Sequence, residues 1–196
     1  MRRWELDFVS DGAGGIAGFV RLALVDRERI AWYWTYLVGV PDVDGILVVR
    51  DHDVLPPRQG LEIRADGLWA ELVCETRDEH WTFGLESFGV RLDAPADALR
   101  PGGEIGERMA VGLDLEWEVS ASGLPAGSVH GDVLVGRARH EIDGHGWFYD
   151  DRAPDPEPLT GVGMTTVIVP TGAAPAERTL ALVDGERRWS WSGEPE

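Results

Sequence analysis

Lysine is missing from this chain, so its 18 basic residues are all arginines, set against 35 acidic residues for a net charge of -17. Without lysine there is no Schiff-base amine, no covalently held pyridoxal phosphate and no Walker-type phosphate-binding lysine. The acidic balance also excludes a basic nucleic-acid face and opposes binding to an anionic membrane, leaving a neutral or cationic small molecule as the expected partner. Cysteine is almost as scarce. Cys74 stands alone, which forbids an internal disulfide and any zinc site built from several thiolates, and makes a cytoplasmic setting the default expectation. The opening Met1-Arg2-Arg3-Trp4-Glu5 brings an acid in before any long apolar run, so neither a signal peptide nor a membrane span is expected.

Several catalytic signatures are absent as well. No Gly-x-Ser-x-Gly elbow exists, and the lone cysteine falls in an apolar strand pattern, so an acyl-transfer nucleophile has little support. None of His52, His80, His130, His140 and His145 belongs to a His-Glu-x-x-His arrangement. Spacing therefore predicts no metal and no cofactor, although convergence of distant strands on an ion stays open. Gly12-Ala13-Gly14-Gly15-Ile16-Ala17 matches a dinucleotide-binding turn in letters only. A helix should follow such a turn, yet Phe19, Arg21, Ala23 and Val25 alternate with Val20, Leu22 and Leu24 as a strand does. A hairpin turn is the expectation there.

What the chain does have is period-two alternation of apolar and polar residues between segments rich in Gly, Pro and Asp. With 43% hydrophobic residues over 196 positions it is expected to form a single domain, residues 1–196. The first half predicts strands at Trp4 to Val9, Ile16 to Val25, Ile30 to Val38, Ile46 to Arg50, Leu61 to Ala65, Leu68 to Glu75 and His80 to Leu92. The second half predicts Met109 to Ser120, Ser128 to Ile142, Gly146 to Tyr149, Met164 to Val169, Thr179 to Val183 and Arg187 to Trp191. With almost no room for crossover helices these must pair antiparallel, giving an all-β fold: a closed barrel or a strongly curved sandwich. Residues 94–108 and 152–161 read as loops able to cover a cavity.

Nine tryptophans are the strongest compositional feature. In Ala31-Trp32-Tyr33-Trp34-Thr35-Tyr36, alternation puts Trp32, Trp34 and Tyr36 on one face as a broad wall, suited to a core layer or a ligand cavity. Around Glu79-His80-Trp81-Thr82-Phe83-Gly84-Leu85-Glu86, His80, Thr82 and Glu86 share one face while Trp81, Phe83 and Leu85 share the other. The next strand repeats the pattern, with Asp114, Glu116 and Glu118 opposite Leu113, Leu115 and Trp117. If the polar faces lined a cavity, carboxylate crowding and burial would raise an acid's pKa and create a general acid needing no cofactor. A water-facing polar side would do no chemistry.

In this order, EHWTFGLESFGVRL, GERMAVGLDLEWEV and VHGDVLVGRARHEIDGHGWFYDD resemble the lipocalin-like carotenoid hydratase and tocopherol cyclase group over about residues 60–151. That resemblance implies an antiparallel, lipocalin-like barrel holding a greasy substrate, which some members protonate, hydrate or cyclise without a cofactor. The group's Asp-His-x-Trp-Gly ending falls on Gly146-Trp147-Phe148-Tyr149-Asp150-Asp151-Arg152, where only an Asp carries over, and the chain has length for one barrel rather than two.

Two functions are therefore expected side by side. The first is a cofactor-independent cyclase, isomerase or hydratase of an apolar polyketide- or isoprenoid-like molecule. Its acid-base candidates are Glu86, His80 and Glu116, and its ligand-binding candidates are Trp32, Trp34, Tyr36, Trp81, Phe83 and Trp117. The second is a carrier that holds the same kind of apolar ligand without turnover, with a homodimer open to either. Opposite faces of one strand cannot both point inward, so these candidates deliberately span both choices of facing.

Overall fold

A computed structural model describes residues 2–11, 15–25, 29–93, 105–150, 177–183 and 186–192. Among these there is no helix. The strands are β1 (Arg2–Ser10), β2 (Ala17–Val25), β3 (Ile30–Val38), β4 (Ile46–Val54), β5 (Leu61–Ala65), β6 (Leu68–Thr76), β7 (His80–Leu92), β8 (Glu107–Val119), β9 (Ala126–Val135), β10 (Ala138–Tyr149), β11 (Glu177–Val183) and β12 (Glu186–Ser192). All pair antiparallel, as short connections require.

The main sheet runs β4-β3-β2-β1-β10-β9-β8-β7, then continues into the β6-β5 hairpin. It also closes on itself, because Ile46, Leu47 and Val48 of β4 pair with Leu92, Arg91 and Val90 of β7. The result is an eight-stranded closed antiparallel barrel, the strand count at which side chains just fill the interior. Strand β7 is long enough to serve two neighbours in turn. Its first part, from His80 to Ser87, pairs with β6, and its last three residues make the seam with β4. Strands β11 and β12 form a separate hairpin.

The sandwich alternative is therefore settled as a barrel, and some strand boundaries shift. The stretch from Ser128 to Ile142 is not one strand, because it reverses at Gly136 and Arg137, with Val135 paired to Ala138 and Gly136 at a φ of 61°. That left-handed turn position favours glycine. Gly146 to Tyr149 is the end of β10 rather than a strand of its own, and β4 extends past Arg50 to Val54. Strand β2 begins at Ala17, so no helix follows the glycine-rich turn. Residues 12–14, 94–104, 152–161 and 164–169 lie outside the described residues, and with them the loop expected at 152–161, the strand at Met164 to Val169 and most of the loop expected at 94–108, of which Ile105 and Gly106 lead into β8 while Glu107 and Arg108 belong to it.

Two halves of the barrel obey different burial rules. In β7 and β8 alternate residues are buried, with Trp81, Phe83, Leu85, Leu113, Leu115 and Trp117 facing inward. One face of that half is wet, as antiparallel sheets allow. Strands β2 and β3 are buried on both faces, which is why AGFVRLALV and IAWYWTYLV read as nearly continuous apolar runs. Their inner residues, such as Leu22 and Tyr33, join the barrel core. Their outer residues, Phe19, Ala23, Trp34 and Tyr36, join Ile46, Val48 and Leu92 in a second cluster.

Inside the barrel, aromatic side chains pack against one another. The Phe148 ring lies 4.7 Å from Trp81, 5.3 Å from Trp117 and 5.7 Å from Phe83. Room for the Trp117 indole comes from Gly127, where an added Cβ would stand 2.4 Å from the indole nitrogen, which itself donates to the Gly146 carbonyl at 3.4 Å. Burying an aromatic of this size stabilises the fold by about 3–5 kcal/mol relative to alanine.

Candidate functional site

The outer cluster is not purely apolar. Alternation along β1 sends Leu6 and Phe8 into the barrel and turns Glu5 and Asp7 outward, where both are nonetheless buried. Strand β2 brings Arg21 opposite Glu5 and Phe19 opposite Asp7, and β3 brings Trp34 opposite Arg21 and Tyr36 opposite Phe19. With Tyr149 of β10 paired to Glu5 and Arg50 of β4 paired to Trp34, one row crosses five strands: Tyr149, Glu5, Arg21, Trp34, Arg50.

Arginine is the cation that such a place accepts, because its guanidinium is weakly hydrated and stacks on rings. Arg21, 1% exposed, donates through Nε to Glu5 Oε2, and its Nη2 is in ion-pair contact with the same oxygen. Its guanidinium carbon sits 5.7 Å from the Trp34 ring centre and 6.0 Å from that of Phe19. Phe19 in turn stacks on Tyr36 at 5.0 Å. Burial holds the Asp7 carboxyl well above the usual carboxylate range, with the Arg21 charge pulling the other way less strongly. Burial raises the Tyr149 phenol too, with the Asp7 charge adding to it, and burial raises Tyr36 against the opposing pull of Arg50. Chemically, this is a carboxyl group pushed by burial toward its protonated form, beside a fixed guanidinium in an aromatic, buried layer.

The structure sorts the residues expected from sequence by facing. Trp81, Phe83 and Trp117 lie inside the barrel. Trp34 and Tyr36 lie in the outer cluster, with Trp32 packed against it, its ring 5.5 Å from Trp34 and roughly perpendicular. His80, Glu86 and Glu116 are all on the outer face of β7 and β8. His80 Nε2 stands 3.7 Å from Glu116 Oε2, and beyond them His130 Nδ1 stands 3.1 Å from Asp143 Oδ1. Glu86 is apart from both, lining an outer groove beside Trp69 and Phe88. Among the described residues, no three His, Cys, Asp or Glu side chains converge as a metal site. Cys74, on β6, is exposed.

Sequence reasoning passed over Glu5, Asp7 and Arg21. The signal was present in β2, where a lone arginine interrupts a strand that is apolar on both faces. If Phe19 and Ala23 are covered, Arg21 between them is covered also, and a buried cation requires a carboxylate across the strand. Comparison with protein families, curated proteins and solved structures finds no match to this chain.

Proposed function

We propose that this barrel acts without a cofactor as a cyclase, isomerase or hydratase of an apolar polyketide- or isoprenoid-like molecule, with Asp7 as its proton donor. The carrying observation is the Asp7 carboxyl itself, 4% exposed and held toward its protonated form among aromatic rings. Asp7 gives its proton to a carbon-carbon double bond or a carbonyl oxygen, and the faces of Trp34, Phe19 and Tyr36 meet the positive charge that forms. Loss of a proton from the product carbon, or from an added water, returns Asp7 to its starting state. The rings hold the substrate in a folded conformer, so part of the rate gain is orientation.

A second reading, a carrier of the same ligand, is favoured by the outward facing of His80, Glu86 and Glu116 and the inward facing of Trp81, Phe83 and Trp117. One experiment separates the two. Native mass spectrometry of the purified chain identifies a retained apolar molecule, and turnover of that molecule and its analogues is followed in wild type and Asp7→Asn. The enzyme reading expects Asn to keep binding and to lower turnover by about 10²-fold or more. Unchanged turnover removes Asp7 from the chemistry, and binding without turnover in wild type leaves the carrier.

A further inference from the structure

On the barrel wall away from Asp7, the outer faces of β6 to β9 form an open groove of about 620 Å³, within the size range of small-molecule sites. One cross-strand row makes its floor: Trp69 opposite Glu86, Glu86 opposite Gly112, and Gly112 opposite Leu134. Gly112 keeps the floor low, since side chains on either side of it project outward and it has none. Phe88, two residues beyond Glu86 on the same face, walls one end. Phe88 and Leu134 are 53% and 42% exposed, an apolar surface that the chain leaves uncovered.

The walls of this groove are held in place. The Trp69 indole N–H donates to Glu62 Oε1 at 3.0 Å, and its six-membered ring lies over Gly84, where an added Cβ would approach it to 2.9 Å. Arg64 donates to the same Glu62 oxygen at 2.7 Å, so that carboxylate is already neutralised. Glu86 differs: among the described residues no hydrogen bond or ion pair engages its carboxylate. The Phe88 ring meanwhile carries the chain's own cation, the Arg108 guanidinium, 4.5 Å above its centre.

We infer that this groove is a binding site for a small organic cation, an amine or amidine on an apolar or aromatic body. The cationic head meets Glu86 and the body lies along Trp69, Phe88 and Leu134. Charge complementarity selects the sign. One register step along the sheet runs a row of acids, with Glu71 opposite Gly84, Gly84 opposite Asp114, Asp114 opposite Asp132 and Asp132 opposite Glu141. Asp132 in that row is paired with Arg139, and the carboxylates of Glu71, Asp114 and Glu141 leave the field negative, which an anion would meet as repulsion, whereas Arg108 on Phe88 shows the same surface accepting a guanidinium. This site is independent of Asp7 and of any reaction there.

The test uses benzamidine and its neutral isostere benzamide as probes of the full chain, titrated by ligand-observed NMR. Benzamidine is expected to bind about tenfold more tightly than benzamide. Glu86→Gln should erase most of that preference, while Glu118→Gln, which removes the same charge from a distant part of the same face, should leave it. Gly112→Leu fills the floor and should weaken both probes, and Phe88→Ala, at an exposed position, serves the same end should the former not fold. Equal affinity for the two probes overturns the inference. So do equal effects of the two glutamine variants, since a diffuse field then accounts for binding, and so does retention of full affinity when the groove is filled or Phe88 removed.

Discussion

Replacing Arg21 with methionine removes a buried cation and keeps most of its volume. The side chains of Arg21 and Glu5 are each 2% exposed, so water does little to screen them. A pair of unit charges about 4 Å apart at an effective dielectric constant of about 20 attracts by about 4 kcal/mol. Methionine leaves Glu5 facing Tyr149 and the aromatic layer without its guanidinium, and the expected loss is about 3–5 kcal/mol of folding stability. Changing both residues, Glu5→Leu with Arg21→Met, removes both charges together and is expected to fall within about 1 kcal/mol of wild type. Urea denaturation of the four members of this cycle measures the difference. If Arg21→Met alone costs less than about 1 kcal/mol, the pair behaves as an exposed surface pair and the outer face of β1 and β2 is wet. That result would also remove the basis for a raised Asp7 pKa.

Two further outcomes follow from the same geometry. Because the folded state raises the Asp7 pKa above its unfolded value, the folded chain holds the proton more tightly, and stability should decline as pH rises from about 4 toward that raised value. Asp7→Asn should flatten this decline, so its stability relative to wild type improves with pH over that window; a constant difference, read from urea midpoints across pH, would refute the assignment. At Gly127, alanine should cost about 1–3 kcal/mol or more, since its Cβ would stand 2.3 Å from the Glu118 carbonyl and 2.4 Å from Trp117. At Gly112, where the nearest atoms are 3.4 Å away, alanine should be neutral or stabilising by about 0.4–1 kcal/mol. Thermal denaturation of the two variants, if it gave equal shifts, would show that the indole does not occupy the space described.

Much of the barrel was legible in the amino-acid order because a strand's side chains alternate strictly. Period two assigned Trp81 and Phe83 to one side and His80 and Glu86 to the other with no knowledge of the fold. Boundaries followed at many of the turn residues, and failed at Gly136, where apolar Val133 and Val135 run into Ala138 with only a glycine and an arginine between, at Asp143-Gly144, a turn-like pair that lies inside β10, and at Arg50, which β4 runs past. The site was less legible. Glu5 and Asp7 alternate with Leu6 and Phe8 in the manner of a wet face, and local pattern alone does not distinguish a carboxylate in water from a buried one.

Sequence by itself determined the partition of residues into faces, the antiparallel all-β class and the absence of any lysine chemistry. Those are local or compositional properties, set by the pleat and by the residue types present. Tertiary structure alone decided which face looks inward, that β4 closes on β7, and that Trp34 and Tyr36 line an outer layer with Arg21 between them and Glu5. Facing and closure arise from pairing between strands far apart in the chain. The energy of a charge depends on what those pairings place over it.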